Sequence, residues 1–101
     1  MAFKVTTVYK RPNLGTPWHI QWFFGKFSQQ YIDCQLFYMM DLRRVVKGGE
    51  GLTLTIENIW DNEEQYNDYN NNLGVVNHMA RVDEYHQSCG IVIESKTTQE
   101  V

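Results

Sequence analysis

A turn built from Gly48-Gly49-Glu50-Gly51 runs directly into Leu52-Thr53-Leu54-Thr55-Ile56-Glu57-Asn58-Ile59-Trp60, and this stretch constrains the fold more than any other. Leu52, Leu54, Ile56 and Trp60 fall on one face of an extended backbone, and Thr53, Thr55, Glu57 and Ile59 on the other. That period of two marks a half-buried antiparallel strand, because successive side chains of a strand point to opposite sides. The glycines supply the positive φ of a hairpin turn, and Leu42-Arg43-Arg44-Val45-Val46-Lys47 is the natural partner strand. Asp61-Asn62-Glu63-Glu64 then reads as a helix start, with Asp61 as N-cap and Glu64 closing a capping box.

Phe3 to Lys10 alternates in the same way, with Phe3, Val5, Thr7 and Tyr9 on one face, and predicts the first strand. Two prolines and a glycine break it between Arg11 and Pro17. Thr16-Pro17 is a good cap and first-turn pair for a helix in which Trp18, Trp22, Phe23, Phe27 and Tyr31 recur near helical spacing. Tyr31 to Met40 fits a continued helix or a buried strand. After Asp61, Tyr66, Tyr69 and Leu73 keep helical spacing until Asn70-Asn71-Asn72 and Gly74 end or kink the helix. A further helix puts Val75, Met79, Val82, His86 and Cys89 on one stripe, and Gly90 stops it. Ile91 to Lys96 reads as the last strand, followed by a frayed polar tail from Thr97 to Val101.

The order β-α-β-β-α-β defines an α+β, ferredoxin-like sandwich: a four-stranded antiparallel sheet with both helices on one face. A chain of 101 residues is one domain with a modest core. Its three Trp, six Tyr and five Phe exceed what so small a core hides, and the second sheet face is left uncovered. A second copy of the chain would cover it, so a homodimer is expected.

The net charge is −3, split between +4 over residues 1–50 (seven Lys/Arg, three Asp/Glu) and −7 over 51–101 (two against nine). An acidic balance argues against nucleic-acid binding, and no apolar run approaches the roughly 20 residues that span a bilayer. Met1-Ala2-Phe3-Lys4 leads straight into a strand, so the expected compartment is the cytoplasm. Cys34 and Cys89 form no C-x-x-C pattern, and a pair of free buried thiols fits that compartment.

Gly51 to Trp60, followed by Asp61-Asn62-Glu63-Glu64-Gln65-Tyr66, resembles the dimeric α/β-barrel superfamily, which includes antibiotic-biosynthesis-monooxygenase-like and stress-responsive barrel families. Members run a hairpin strand ending in an aromatic residue into an acidic D-x-E-E-x-Y helix start. The resemblance implies a ferredoxin-like dimeric barrel; sites on this scaffold differ between members. Haem-degrading members place an Asn, a Trp and a His around their cofactor, but this chain offers Thr7 and Asn70 where the Asn and His would stand. No cofactor is therefore expected. Lys10-Arg11-Pro12-Asn13 also resembles the opening turn of small tailed-phage proteins.

Asn58 is the polar exception on the inner face of its strand, where it could hold a substrate oxygen with Trp60 as an aromatic wall. Tyr9, Asn58, Trp60, His78 and His86 are the ligand-pocket candidates, and Asn58, His78 and His86 the catalytic ones. Trp60 should pack under a helix, near Tyr66 or Met79. Asp83 and His86 stand at i and i+3, so a carboxylate could orient an imidazole. His78 and His86 are eight residues apart and make no metal pair on one helix face. Lys10, Arg11, Arg43, Arg44 and Lys47 are the basic concentration: a patch for an anion or an acidic partner, or edge-strand protection. Three functions fit these features. One is a non-enzymatic, homodimeric, phage-type protein working through contacts with a host or viral protein. Another is a cofactor-independent monooxygenase-like or isomerase-like enzyme acting on a small aromatic substrate. The third is a phage inhibitor that binds a host protein through the acidic half of the chain.

Overall fold

A computed structural model describes residues 2–19 and 43–101. The helix expected from Trp18 lies, beyond His19, outside the described residues, as do the stretch Tyr31 to Met40 and Cys34. The elements are β1 (Phe3–Lys10), β2 (Arg43–Gly48), β3 (Thr53–Trp60), α1 (Glu63–Asn71), α2 (Leu73–Cys89) and β4 (Val92–Glu100). They build one sheet in the order β2-β3-β1-β4, with every neighbouring pair antiparallel. β1 lies between the hairpin and the C-terminal strand, which is the ferredoxin-like order.

Alternation decides which face is buried. Phe3, Val5, Thr7 and Tyr9 are buried along β1, and the β1–β3 register sets Phe3 beside Trp60, Thr7 beside Ile56 and Tyr9 beside Leu54. Leu54, Ile56 and Trp60 are buried with them, whereas Leu52 precedes the strand and is exposed. Gly48 and Gly49 turn the hairpin at φ 73° and 92°. A Cβ on Gly49 would stand 3.0 Å from the Leu54 side chain, so both conformation and space select glycine there.

The helix start lies one residue later than the sequence suggests. Asn62, not Asp61, caps α1: its Oδ1 accepts from the Gln65 N–H at 2.9 Å, while Gln65 Oε1 accepts from the Asp61 N–H at 3.2 Å. The box closes through Gln65 rather than Glu64. Asn72 both ends α1, donating its N–H to the Tyr69 carbonyl, and caps α2 through the Gly74 N–H at 2.9 Å. Along α2 the buried stripe is Val75, His78, Val82 and His86, with Met79 exposed. Gly90 ends the helix in the left-handed conformation.

The expected frayed tail is a strand. β4 continues to Glu100, which pairs with Phe3, and Ala2 and Val101 exchange both backbone hydrogen bonds beyond it. The pairing rests mainly on backbone groups, with the Lys10–Glu94 ion pair at 3.9 Å beside them: every residue of β4 is exposed, so burial leaves no alternation to announce its last residues.

Two buried clusters form. One joins Phe3, Val5, Trp60, Tyr69 and Val75, with Tyr66 against it. The other joins Tyr9, Trp18, Leu54, Ile56 and Ile91, with Tyr85 and Cys89 against it. Cys89 is a partly buried free thiol.

Candidate ligand cavity

Between the helix-bearing face of the sheet and α1–α2 lies a cavity of about 640 Å³. Alternation supplies its floor: Val5, Thr7 and Tyr9 from β1, Ile56, Asn58 and Trp60 from β3, and Arg44 from β2. Tyr66 and Tyr69 of α1 and Val75, His78 and Val82 of α2 form the roof, and His19 closes in from the segment after β1. The volume suits a small organic molecule.

Tyr9, Asn58, Trp60 and His78, four of the five pocket candidates, converge here. His86 does not line the cavity. It sits behind the wall with its Nε2 3.1 Å from Nδ1 of His19, the two rings meeting edge to face. The Tyr9 ring packs on both, 4.8 Å from His19 and 5.4 Å from His86. Asp83 reaches His86 through its charge, while the ring's hydrogen bond goes to His19.

Asn58 is half-buried, and its Oδ1 accepts from Arg44 Nε at 2.9 Å. The basic residues are thus divided rather than gathered. Arg44 stands opposite Asn58 in the hairpin and shares its face. Lys47 pairs with Glu57 at 2.6 Å, and Lys10 with Glu94 at 3.9 Å. The Lys47 hydrogen bond holds the Glu57 carboxyl below its ordinary pKa. Arg11 is buried, and its guanidinium donates to the carbonyls of Gly51, Thr16, Gly49 and Glu50 while stacking on Trp18. It clamps the hairpin turn. Arg43 opens β2, and its side chain lies outside the described residues.

Burial sets the charge state of the imidazoles. Desolvation, helped by His86, Arg44 and His78, drives His19 down to about 3. Desolvation, then the charges of Arg81 and Arg44, takes His78 down to about 4. His86 is also lowered by burial, against an opposing pull from Asp83. All three rings are neutral at pH 7, each with one donor and one acceptor nitrogen. Trp60 is 3% exposed, its ring packed 4.9 Å from Tyr66 and 5.4 Å from Tyr69, and its indole N–H has no acceptor among the described residues. A buried donor without a partner is costly and uncommon. Among the described residues no three His, Cys, Asp or Glu are grouped to hold a metal ion.

Two contributors were not expected in the cavity: Arg44, which the sequence places in a basic patch, and His19, to which it assigns no role. Arg44 was legible, because the Gly48–Leu54 pair at the turn fixes Arg44 opposite Asn58 four residues along. His19 was not, since its neighbours meet it only through long-range packing.

No family model matches the chain, and no curated protein matches it by sequence. Its fold is nevertheless shared by solved structures. Protein YJCS is 12% identical over the whole of this chain and 99% of its own, with a TM-score of 0.55. Rv0793 from Mycobacterium tuberculosis is 9% identical over 100% and 95%, with a TM-score of 0.59. A dimeric ferredoxin-like protein from an uncultured marine organism is 11% identical over 97% and 84%, with a TM-score of 0.58. These similarities support the ferredoxin-like fold. At such identity they speak of fold alone.

Proposed function

We propose that the chain binds a small aromatic molecule in the cavity between sheet and helices and moves a proton to or from it without a bound cofactor, in the manner of monooxygenase-like or isomerase-like enzymes. The buried N–H of Trp60, without an acceptor among the described residues and in the wall of a 640 Å³ cavity, carries this reading. A ligand oxygen would satisfy it. Tyr66, Tyr69 and Trp60 offer flat apolar surface to a ring system, Asn58 a second polar contact, and His78 a neutral imidazole able to exchange a proton.

Titration with 2-naphthol, followed through the indole N–H resonances, tests it. The Trp60 resonance should shift on binding, and Trp60→Phe should weaken binding by about tenfold, the worth of one hydrogen bond. Saturating 2-naphthol that leaves the Trp60 resonance unmoved would overturn the reading.

The outer sheet face supports a homodimer. It carries no helix among the described residues, Val45 on β2 is exposed there and Val8 and Ile59 are half-buried. One of the similar structures is itself described as dimeric. The non-enzymatic, phage-type reading with a host or viral partner takes second place, because the aromatic excess that motivated it is partly spent on the cavity wall.

A further inference from the structure

The electrostatics of the cavity bear on what kind of molecule enters, given that it is a ligand site at all. We infer that the ligand is a small aromatic carboxylate held by Arg44 at the β2 side of the cavity, and that it enters with a proton taken up on the imidazole of His78.

The charge of the lining runs against that of the chain. The protein carries −3 overall, yet among the described residues Arg44 and Lys96 approach the cavity from opposite edge strands, against Asp83 as the acidic lining residue. Arg44 is the better anchor. Its Nε is fixed on Asn58 Oδ1 at 2.9 Å, which orients a planar guanidinium whose geometry matches a carboxylate. An aromatic ring on that carboxylate would extend towards Trp60 and Tyr69, which share the cavity.

The proton follows from linkage. Among the described residues, His78 shares the cavity with Arg44 from β2, Lys96 from β4, Tyr9 from β1, Tyr69 from α1, His19, and Asp83 of its own helix; Arg81 acts on it from α2. Arg81 and Arg44 oppose its charging, after burial itself. A carboxylate on Arg44 cancels one of those charges and brings an anion near the ring. Both changes favour the imidazolium, so the occupied cavity binds a proton that the empty one lacks. No covalent step is involved: the proton comes from solvent and stays on the ring nitrogen, leaving His78 poised as an acid.

Calorimetry on the unaltered chain tests both halves, with 2-naphthoate and its neutral isostere 2-naphthamide in buffers of different ionisation heat. The expected result is at least tenfold tighter binding of the naphthoate, with net proton uptake on binding. Its affinity should weaken as pH rises, by up to about tenfold per unit where His78 is charged in the complex. Arg44→Gln should lose most of the preference for naphthoate, and His78→Gln the proton uptake. Equal binding of the two compounds, or naphthoate binding without proton uptake, would overturn the inference while leaving the cavity a ligand site. Binding of neither would remove the ligand-site reading and this one with it.

Discussion

The two ends of the cavity are built on opposite principles. At one end Val5, Trp60, Tyr69 and Val75, backed by Phe3, close it with apolar and aromatic surface, and the buried Trp60 indole nitrogen there has no partner among the described residues. At the other end Tyr9, Trp18, Leu54, Ile56 and Ile91 enclose polar groups that are paired. His19 bonds His86, Trp18 Nε1 donates to the Gly49 carbonyl at 2.8 Å, and Arg11 is satisfied by four carbonyls. Satisfied polar groups specify a geometry; an unsatisfied one leaves a hydrogen bond still to be made. The second end is framework, and the first is where a bound molecule would gain most.

Truncation separates the two ends most sharply. Trp60→Ala removes the largest side chain of the apolar end and should cost about 3–5 kcal/mol, enough to leave little folded protein in a domain of this size. Trp60→Phe keeps most of the buried area and removes the orphaned donor, so it should cost under about 1.5 kcal/mol. A Trp60→Ala chain that melts like the unaltered one would contradict the packing on Tyr66 and Tyr69. At the polar end, Arg11→Ala should cost about 2–4 kcal/mol, because four carbonyls lose a charged donor at once. Arg11→Lys should recover little, since one ammonium cannot reach all four. Chemical denaturation of both variants measures the difference.

Acid acts on the polar end first. His19 titrates at 6.5 when unfolded and at about 3 when folded, so the unfolded chain binds the extra proton and stability falls with pH. The contribution is complete above pH 6.5 and is lost progressively down to about 3. Each unit costs about 1.4 kcal/mol, or roughly 2 kcal/mol by pH 5 from this residue alone. His78, folded at about 4, adds a further loss over the upper part of the same window. Replacing His19 by Phe should flatten the acid limb of the stability curve. An unchanged limb would mean that the ring is charged in the folded chain.

The contrast also explains what was legible in the sequence. Alternation in Phe3–Lys10 and Leu54–Trp60 gave the sheet and the apolar floor, because burial on one face leaves a period-two trace. Gly48 and Gly49 gave the hairpin and, through its register, could have given Arg44. Thr97 to Glu100 left no such trace, since that part of β4 pairs through its backbone with its side chains exposed. Taking Met79 for the buried residue of α2 followed hydrophobicity, whereas packing chose His78 one position earlier. The His19–His86 pair is written nowhere locally, because its members are 67 residues apart and meet only when the sheet is formed.

The smallest test reads the attachment of α1, which brings Tyr66 and Tyr69 to the apolar end. Asn62→Ala removes the side chain that accepts the Gln65 N–H and should cost about 1 kcal/mol, the usual worth of an N-cap. Asp61→Ala keeps that bond, and the backbone N–H of residue 61 still donates to Gln65 Oε1, so only a weak interaction of the carboxylate with the helix N-terminus is lost. The cost should be a few tenths of a kcal/mol. If capping matters only for orienting the tyrosines, Asn62→Ala should also loosen the Trp60 packing, seen as a blunted near-ultraviolet dichroism from the aromatic cluster. Altering the Arg11 clamp, which stacks on Trp18, should instead change the Trp18 part of that signal and leave the Trp60 indole N–H resonance in place. Equal costs for Asn62→Ala and Asp61→Ala would return the helix start to Asp61, where the sequence placed it, and with it would shift the register of every residue that α1 presents to the cavity.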